Sequence, residues 1–436
     1  MNEQKSVVFL TAGAAGMFCG SCMHDNSLAK ALRSEGIDCL LQPLYTPIRT
    51  DESAIASSQV FFGGIHVYLL QRIPWFRFIP KSLRRLLDWP PLIRLATRGI
   101  GATDPAKLGD LAVSMLQGTE GQQDEEVKRL VSWLADDIRP AAIILSNLLI
   151  GGAIPAIRAA LPDTKIIVLL QGDDIFLDHL PDQHRDRAIA LCEQLSHDVD
   201  WFVVNSQFYL DKMSSMLNIN VDKFQTTPLS IDTEPYCAAS PDELPGTSEH
   251  RSFRLGYLAR IAPEKGLHRL VDAFIEIASD GQHDGLTLHV AGWLGAANEA
   301  YFDDLNRRIA AAGLTDRFEY HGSPELDQKA DFLRSLDLLS VPTEYEDPKG
   351  LFVLEANASG VPVVQPDHGA FSELIGSTGG GIVVPANQHD ALVSAISGLF
   401  GDPATRSRLA AEGMRGVAAT HTISRAAEHM RRLIES

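Results

Sequence analysis

The sequence predicts an α/β protein of two domains, each built on a parallel, doubly wound sheet with helices on both faces. Three observations carry this. The chain has 436 residues, beyond the size at which a single hydrophobic core usually stops growing. Short apolar runs alternate with helical periodicity in both halves, the pattern of βαβ units. Between the halves, Cys237-Ala-Ala-Ser-Pro-Asp-Glu-Leu-Pro-Gly-Thr-Ser-Glu-His250 is polar and rich in turn residues, as a domain linker is.

Taken in order, Val7-Val-Phe-Leu10 reads as a short apolar strand and is followed by a Gly-rich loop. Ser27-Leu-Ala-Lys-Ala-Leu32 then begins a helical pattern that ends near Gly36, ahead of a strand over Ile37–Leu41. Further strands are expected over 141–145, 166–170 and 201–204. An insertion at about 59–125 interrupts the rhythm. Within it, the Arg and Lys residues of Trp75–Trp89 alternate with aromatic and aliphatic ones, so this stretch suits a cover over an acceptor cleft, plain packing, or peripheral contact with a membrane surface.

After the linker the alternation restarts, with strands expected near 253–259, 286–291, 317–320, 337–341, 361–365 and 381–384. A last helix over Thr422–Ile434 falls outside it. The expected organisation is an N-terminal Rossmann-like domain over 1–235, a C-terminal one over 251–417, and a closing helical segment over 418–436.

Charge narrows the function. Lys and Arg number 38 against 56 Asp and Glu, a net −18, which argues against nucleic acid as a partner because phosphate neutralisation needs a basic footprint. The same balance weighs against docking on anionic membranes. Five cysteines in a chain of this length do not make a disulfide scaffold. The first residues run into a strand without a separate secretory h-region. The most apolar run, Ala141–Ile157, is broken by Ser146, Asn147, two glycines and Pro155, so no integral membrane segment is expected. These readings together predict a cytoplasmic protein.

Two stretches carry the chemistry. Val341-Pro-Thr-Glu-Tyr-Glu-Asp-Pro-Lys-Gly-Leu-Phe-Val-Leu-Glu-Ala-Asn-Ala-Ser-Gly-Val-Pro-Val-Val364 reads as strand, acidic loop, short helix and strand. A helix from near Gly350, capped at Gly360, offers backbone N–H groups to a diphosphate, with Asp347 before it and Glu355 on it placed to accept from sugar hydroxyls. An ordinary αβ corner with a solvated acidic loop gives the same pattern. The second stretch, Phe253 to Phe274, is strand, loop and helix. Pro263 and Glu264 are placed to open that helix, and Arg260 and Lys265 beside its start form either a diphosphate clamp that needs no metal or a solvated basic loop.

Gly256-Tyr-Leu-Ala-Arg-Ile-Ala-Pro-Glu-Lys-Gly266, the Asp347–Glu355 segment with Ala356 to Pro362 behind it, and the domain order resemble the retaining glycosyltransferases of family 4, the glycosyl transferases group 1. The likeness spans nearly the whole chain and is strongest in its second half. It implies the GT-B fold, with the closing helix returning to the first domain. The donor would be a nucleotide-diphosphate sugar and the acceptor stays open; no cofactor and no metal are implied.

By this resemblance Arg260 and Lys265 bind the donor diphosphate, Glu355 holds the ribose hydroxyls, and Asp347 contacts the transferred sugar from a side chain one methylene shorter than the family's Glu. Gly350 and Leu351 supply backbone donors. The usual Gly-Phe before them is Pro348-Lys349 here. Lys349 therefore either pairs with Asp347 or Glu346, points into solvent, or meets an acidic group on donor or acceptor. In the first domain Gln171 stands where members often carry His, and Gly20 falls on the second glycine of the family's Gly-rich loop. Cys19-Gly-Ser-Cys22 with His24 nearby invites a metal or redox reading, but no second CxxC completes a zinc site, so a packed or cleft-lining pair is expected. A GT-B nucleotide-sugar epimerase, a phosphorylase and a non-catalytic nucleotide-sugar-binding module are the alternatives.

Overall fold

The computed structural model describes residues 6–13, 20–45, 55–56, 105–237, 252–281 and 283–436. Trp75–Trp89, Cys19 and the 238–250 part of the linker lie outside them. The chain divides into two compact units, residues 1–227 with 426–436, and residues 228–425.

The first unit holds a parallel six-stranded sheet of β1 (Ser6–Thr11), β2 (Asp38–Pro43), β3 (Ala142–Leu145), β4 (Lys165–Leu169), β5 (Trp201–Val204) and β6 (Phe224–Thr226), in the order β2-β1-β3-β4-β5-β6. Its inner strands are apolar at successive positions: Val7, Val8, Phe9 and Leu10 are buried, as are Ile143, Ile144 and Leu145. Such strands are covered on both faces, which is why they read as unbroken hydrophobic runs.

Two elements depart from the sequence reading. The helix expected from Ser27 starts at Gly20 and runs to Ser34, and its early turns bury Cys22, His24, Asp25 and Asn26. Asp25 accepts from Thr11 Oγ1 at the end of β1 (2.9 Å). Polar residues on the core face broke the apolar period there. Strand β6 was not expected at all; of its three residues only Phe224 is buried, too little for alternation to register.

The second unit holds β7 (Phe253–Leu258), β8 (Leu286–Ala291), β9 (Phe318–Tyr320), β10 (Leu338–Leu339), β11 (Val363–Pro366) and β12 (Gly381–Val384), in the order β12-β11-β10-β7-β8-β9, with every pair parallel. The chain leaves β7 toward β8 on one side and later returns to β10 on the other. The β7/β10 junction is thus a topological switch point, where α/β sheets open a crevice beyond the carboxyl ends of their strands.

The helix after β7 does not begin at Pro263. Residues Pro263–Lys265 form a 3-10 turn, and the α-helix spans Leu267–Ser279 behind Gly266, whose φ is 74°. A Cβ at Gly266 would lie 1.8 Å from the Pro342 carbonyl oxygen, so the loops after β7 and β10 touch through this glycine. No helix of the described residues is long and apolar enough to cross a membrane.

Candidate functional site

Seven of the nine residues singled out in the sequence lie in the second unit, on the loops leaving β7 and β10 and on the helix Leu351–Ala358. The two loops are tied directly: Glu344 N–H donates to the Glu264 carbonyl (3.0 Å). Beneath the first loop, the buried Tyr257 hydroxyl lies 3.4 Å from the Arg260 carbonyl and 3.3 Å from that of Lys265, fixing the backbone that carries both cations.

Lys265 and Asp347 meet across the switch point. The ammonium donates to Asp347 Oδ2 (2.9 Å) and to the Tyr345 hydroxyl, and the Tyr345 hydroxyl itself donates to Oδ2 (3.0 Å). The other carboxylate oxygen accepts from the N–H groups of Lys349 (3.0 Å) and Gly350 (3.2 Å). Burial pushes the Asp347 carboxyl up, but Lys265, the Lys349 N–H and the Tyr345 hydroxyl together outweigh it and hold the group below the ordinary 3.8. Burial, with Asp347 alongside, pushes the Tyr345 phenol well up. A lysine has three N–H donors, and two are engaged here.

Arg260 is placed differently. Its guanidinium pairs with Glu264 at 2.6 Å, both side chains being 44% exposed. An exposed pair of this kind contributes only about 0–1 kcal/mol, so it exchanges readily for another anion.

Gly350 has φ 75° and precedes the first residue of the Leu351–Ala358 helix, and a Cβ there would lie 2.7 Å from the Phe371 ring. Of the two expected backbone donors, the Gly350 N–H is already engaged by Asp347 Oδ1 (3.2 Å), and Leu351 opens the helix behind it. Lys349 is buried, 8% exposed, which removes the reading in which its side chain points into solvent.

One helical turn further on, Glu355 is buried as well. Its Oε1 accepts from Lys329 Nζ (2.8 Å) and from the Tyr236 hydroxyl (3.0 Å), and the Lys329 ammonium sits 5.5 Å from the Tyr236 ring centre. The sequence reading missed Lys329, Tyr236 and Tyr345. Lys329 left a signal: with Ala330, Phe332 and Leu333 it falls on the buried face of the helix Leu326–Arg334, where an unpaired cation is costly.

Gly20 and Gln171 belong to the first unit. Gly20 opens its helix, and the next residue, Ser21, donates to the Gln171 carbonyl (3.5 Å). Gln171 Nε2 donates to Asp25 Oδ1 (2.9 Å) and to the Ser146 carbonyl (3.0 Å), so both amide protons serve the Gly20–Ser34 helix and the loop after β3. Just beyond, Asp173 accepts from Leu148 and Gln171 N–H groups, and burial pushes its carboxyl up to about 6.

Among the described residues one group has metal-like spacing: His289 on β8, Glu319 on β9 and His321 just after β9. Its His289 Nδ1 lies 3.2 Å from the Arg254 guanidinium, and a single imidazole lone pair cannot serve both an arginine and a metal ion. A cavity of about 530 Å³, lined by His268, Arg269, Thr343, Pro366 and His389 among others, contains none of the nine predicted residues.

Two Rossmann-like units, the second with the 3-2-1-4-5-6 strand order and a paired cation and carboxylate at its switch point, define a GT-B protein. The chain aligns over its length with solved GT-B structures. Sucrose-phosphate synthase from Thermosynechococcus elongatus matches with a TM-score of 0.69 at 16% identity, covering 99% of this chain and 98% of the other. HepE of Anabaena in complex with UDP matches with a TM-score of 0.69 at 15% identity, covering 99% of each. At such identities the likeness establishes the fold.

Residues 246–415 match the family model of the glycosyl transferases group 1. The lipopolysaccharide core biosynthesis mannosyltransferase LpsB of Rhizobium meliloti is 33% identical over 214 residues, 49% of this chain and 57% of the relative. Its counterpart LpcC of Rhizobium leguminosarum bv. viciae is 34% identical over 189 residues, 43% and 52%. The chain thus spans about half the length of the curated relatives it matches.

Proposed function

We propose that the protein transfers a sugar from a nucleotide-diphosphate sugar to an acceptor, with retention of anomeric configuration and without a metal ion. The observation that carries this is the meeting of Lys265 with Asp347 across the switch point, beside the N-terminus of the Leu351–Ala358 helix and with Arg260 on the adjoining loop. Cations and oriented N–H groups at a helix start receive a diphosphate. They also stabilise charge that grows on it as a leaving group, which is the larger part of the catalytic task.

In this reading the bond between the anomeric carbon and the phosphate oxygen breaks as the bond to the acceptor oxygen forms on the same face. The acceptor proton passes to the departing diphosphate, so no protein nucleophile is required. Arg260 releases Glu264 to take the diphosphate. Lys265 adds its remaining N–H while staying anchored to Asp347. The acceptor sites of that carboxylate, about four in all, are taken by Lys265, Tyr345 and the Lys349 and Gly350 N–H groups. Asp347 therefore holds the lysine and the turn before the helix rather than accepting from the transferred sugar, as its sequence position suggested. Glu355 accepts from the ribose. The names of LpsB and LpcC favour a hexose donor.

Incubating the full protein with a panel of uridine-, guanosine- and adenosine-diphosphate sugars in excess EDTA, with cell extract as acceptor source, tests the reading. Release of free nucleoside diphosphate with a glycosylated product is expected. A new nucleotide sugar points to epimerisation, and binding without turnover to a non-catalytic module. Activity abolished by EDTA and restored by Mg²⁺ or Mn²⁺ overturns metal independence.

A further inference from the structure

We infer that Lys329 and Tyr236 are positioning residues that occupy one oxygen of Glu355 and so commit the other to the donor ribose. The inference rests on the donor reading above. Glu355 Oε1 takes two donors at once, Lys329 Nζ at 2.8 Å and the Tyr236 hydroxyl at 3.0 Å, and its side chain is only 11% exposed. An ionised carboxylate has about four acceptor sites, two on each oxygen. With both sites on Oε1 filled by protein donors, Oε2 is the oxygen left for a ligand.

The three groups reach this point from separate parts of the unit. Glu355 lies on the Leu351–Ala358 helix, Lys329 on the Leu326–Arg334 helix, and Tyr236 on the segment that enters the unit after Pro228. Neither helix can rotate Glu355 alone. A carboxylate held from two directions cannot swing to another rotamer, so its free oxygen keeps one position. That is how a sugar with two adjacent hydroxyls is told from one that lacks the first of them, since the cost of losing a hydrogen bond falls only on a site that cannot rearrange.

The readout is discrimination between ribose and deoxyribose. Binding of UDP, GDP and ADP, and of their 2′-deoxy counterparts, is measured by calorimetry for the wild type, Lys329→Met, Lys329→Arg and Tyr236→Phe. Loss of a hydrogen bond to a charged group predicts that the wild type prefers the ribo form of its base by about tenfold or more. In Tyr236→Phe and Lys329→Met the ratio should fall toward one, and Lys329→Arg should restore part of it. A merely structural role lowers affinity for both forms alike and leaves the ratio unchanged, which overturns the inference. Tyr236→Phe removes a single hydroxyl and decides the matter by itself should Lys329→Met fail to fold. A wild type that binds no nucleoside diphosphate overturns the donor reading and this inference with it. A wild type that binds but does not discriminate overturns the ribose contact alone and leaves the diphosphate clamp standing.

Discussion

At the scale of single residues, the two cations beside β7 are distinguished by how they are held. Lys265 is pinned by a buried carboxylate and a phenol, whereas Arg260 lies half in solvent against Glu264. Arg260→Ala should therefore leave the thermal midpoint nearly unchanged and lower kcat/KM by roughly 10²–10³-fold, about 3–4 kcal/mol, as the loss of one preorganised donor to a developing anion does. Lys265→Ala should cost a similar factor in activity and also stability, because it leaves Asp347 buried beside only neutral donors. Steady-state kinetics with thermal melts on both variants check this; near wild-type turnover for Arg260→Ala would reject the clamp. Both cations were legible in the sequence from their place after a strand. Tyr236 was not: it sits in a segment without periodicity, and its partner Glu355 is 119 residues away.

At the scale of elements, legibility followed burial. The inner strands of both sheets are apolar at successive positions and were placed within a residue or two, while the three-residue β6 and the polar start of the Gly20–Ser34 helix were not. The Leu267–Ser279 helix was placed four residues early because Pro263 and Glu264 make a good helix start in isolation. What overrides them is the contact between Gly266 and the Pro342 carbonyl, a long-range fact that local propensity does not contain. Gly266→Ala should be destabilising by at least about 1–3 kcal/mol from its left-handed backbone alone, and more from the displaced carbonyl. Differential scanning calorimetry should show a midpoint lowered by several degrees, together with a weakened donor affinity because both loops move; an unchanged midpoint would show the contact to be slack.

At the scale of the whole molecule, His421 joins distant parts of the second unit. Its Nδ1 lies 2.6 Å from the Leu229 carbonyl and its Nε2 2.7 Å from Ser377 Oγ. Burial lowers its pKa below the ordinary 6.5, against the pull of the Leu229 carbonyl. A histidine depressed in the folded state favours folding fully above the unfolded pKa, and that contribution is lost as the pH falls below 6.5 toward the folded value. The thermal midpoint should accordingly drop between pH 7.5 and pH 5.5. His421→Gln should reduce the drop without abolishing it, since His268, His321, His368 and His429 are shifted the same way; an equal drop in the variant would assign the effect elsewhere.

The strand-like bridge between Ile231 and Thr422, with Ile231 N–H on the His421 carbonyl (3.0 Å) and Ile423 N–H on that of Ile231 (2.8 Å), lays the incoming and outgoing chain of the second unit side by side. Topologically that unit is a guest spliced into a host sequence, entering and leaving through one doorway. Adjacent ends of this sort tolerate excision and circular permutation. A fragment of residues 228–425, or the same fragment closed by a short Gly/Ser linker and reopened at an exposed loop such as Gly313, should fold cooperatively by circular dichroism and retain nucleoside-diphosphate binding. The guest then becomes a portable unit on which the proposed nucleotide binding can be measured and altered with no host attached.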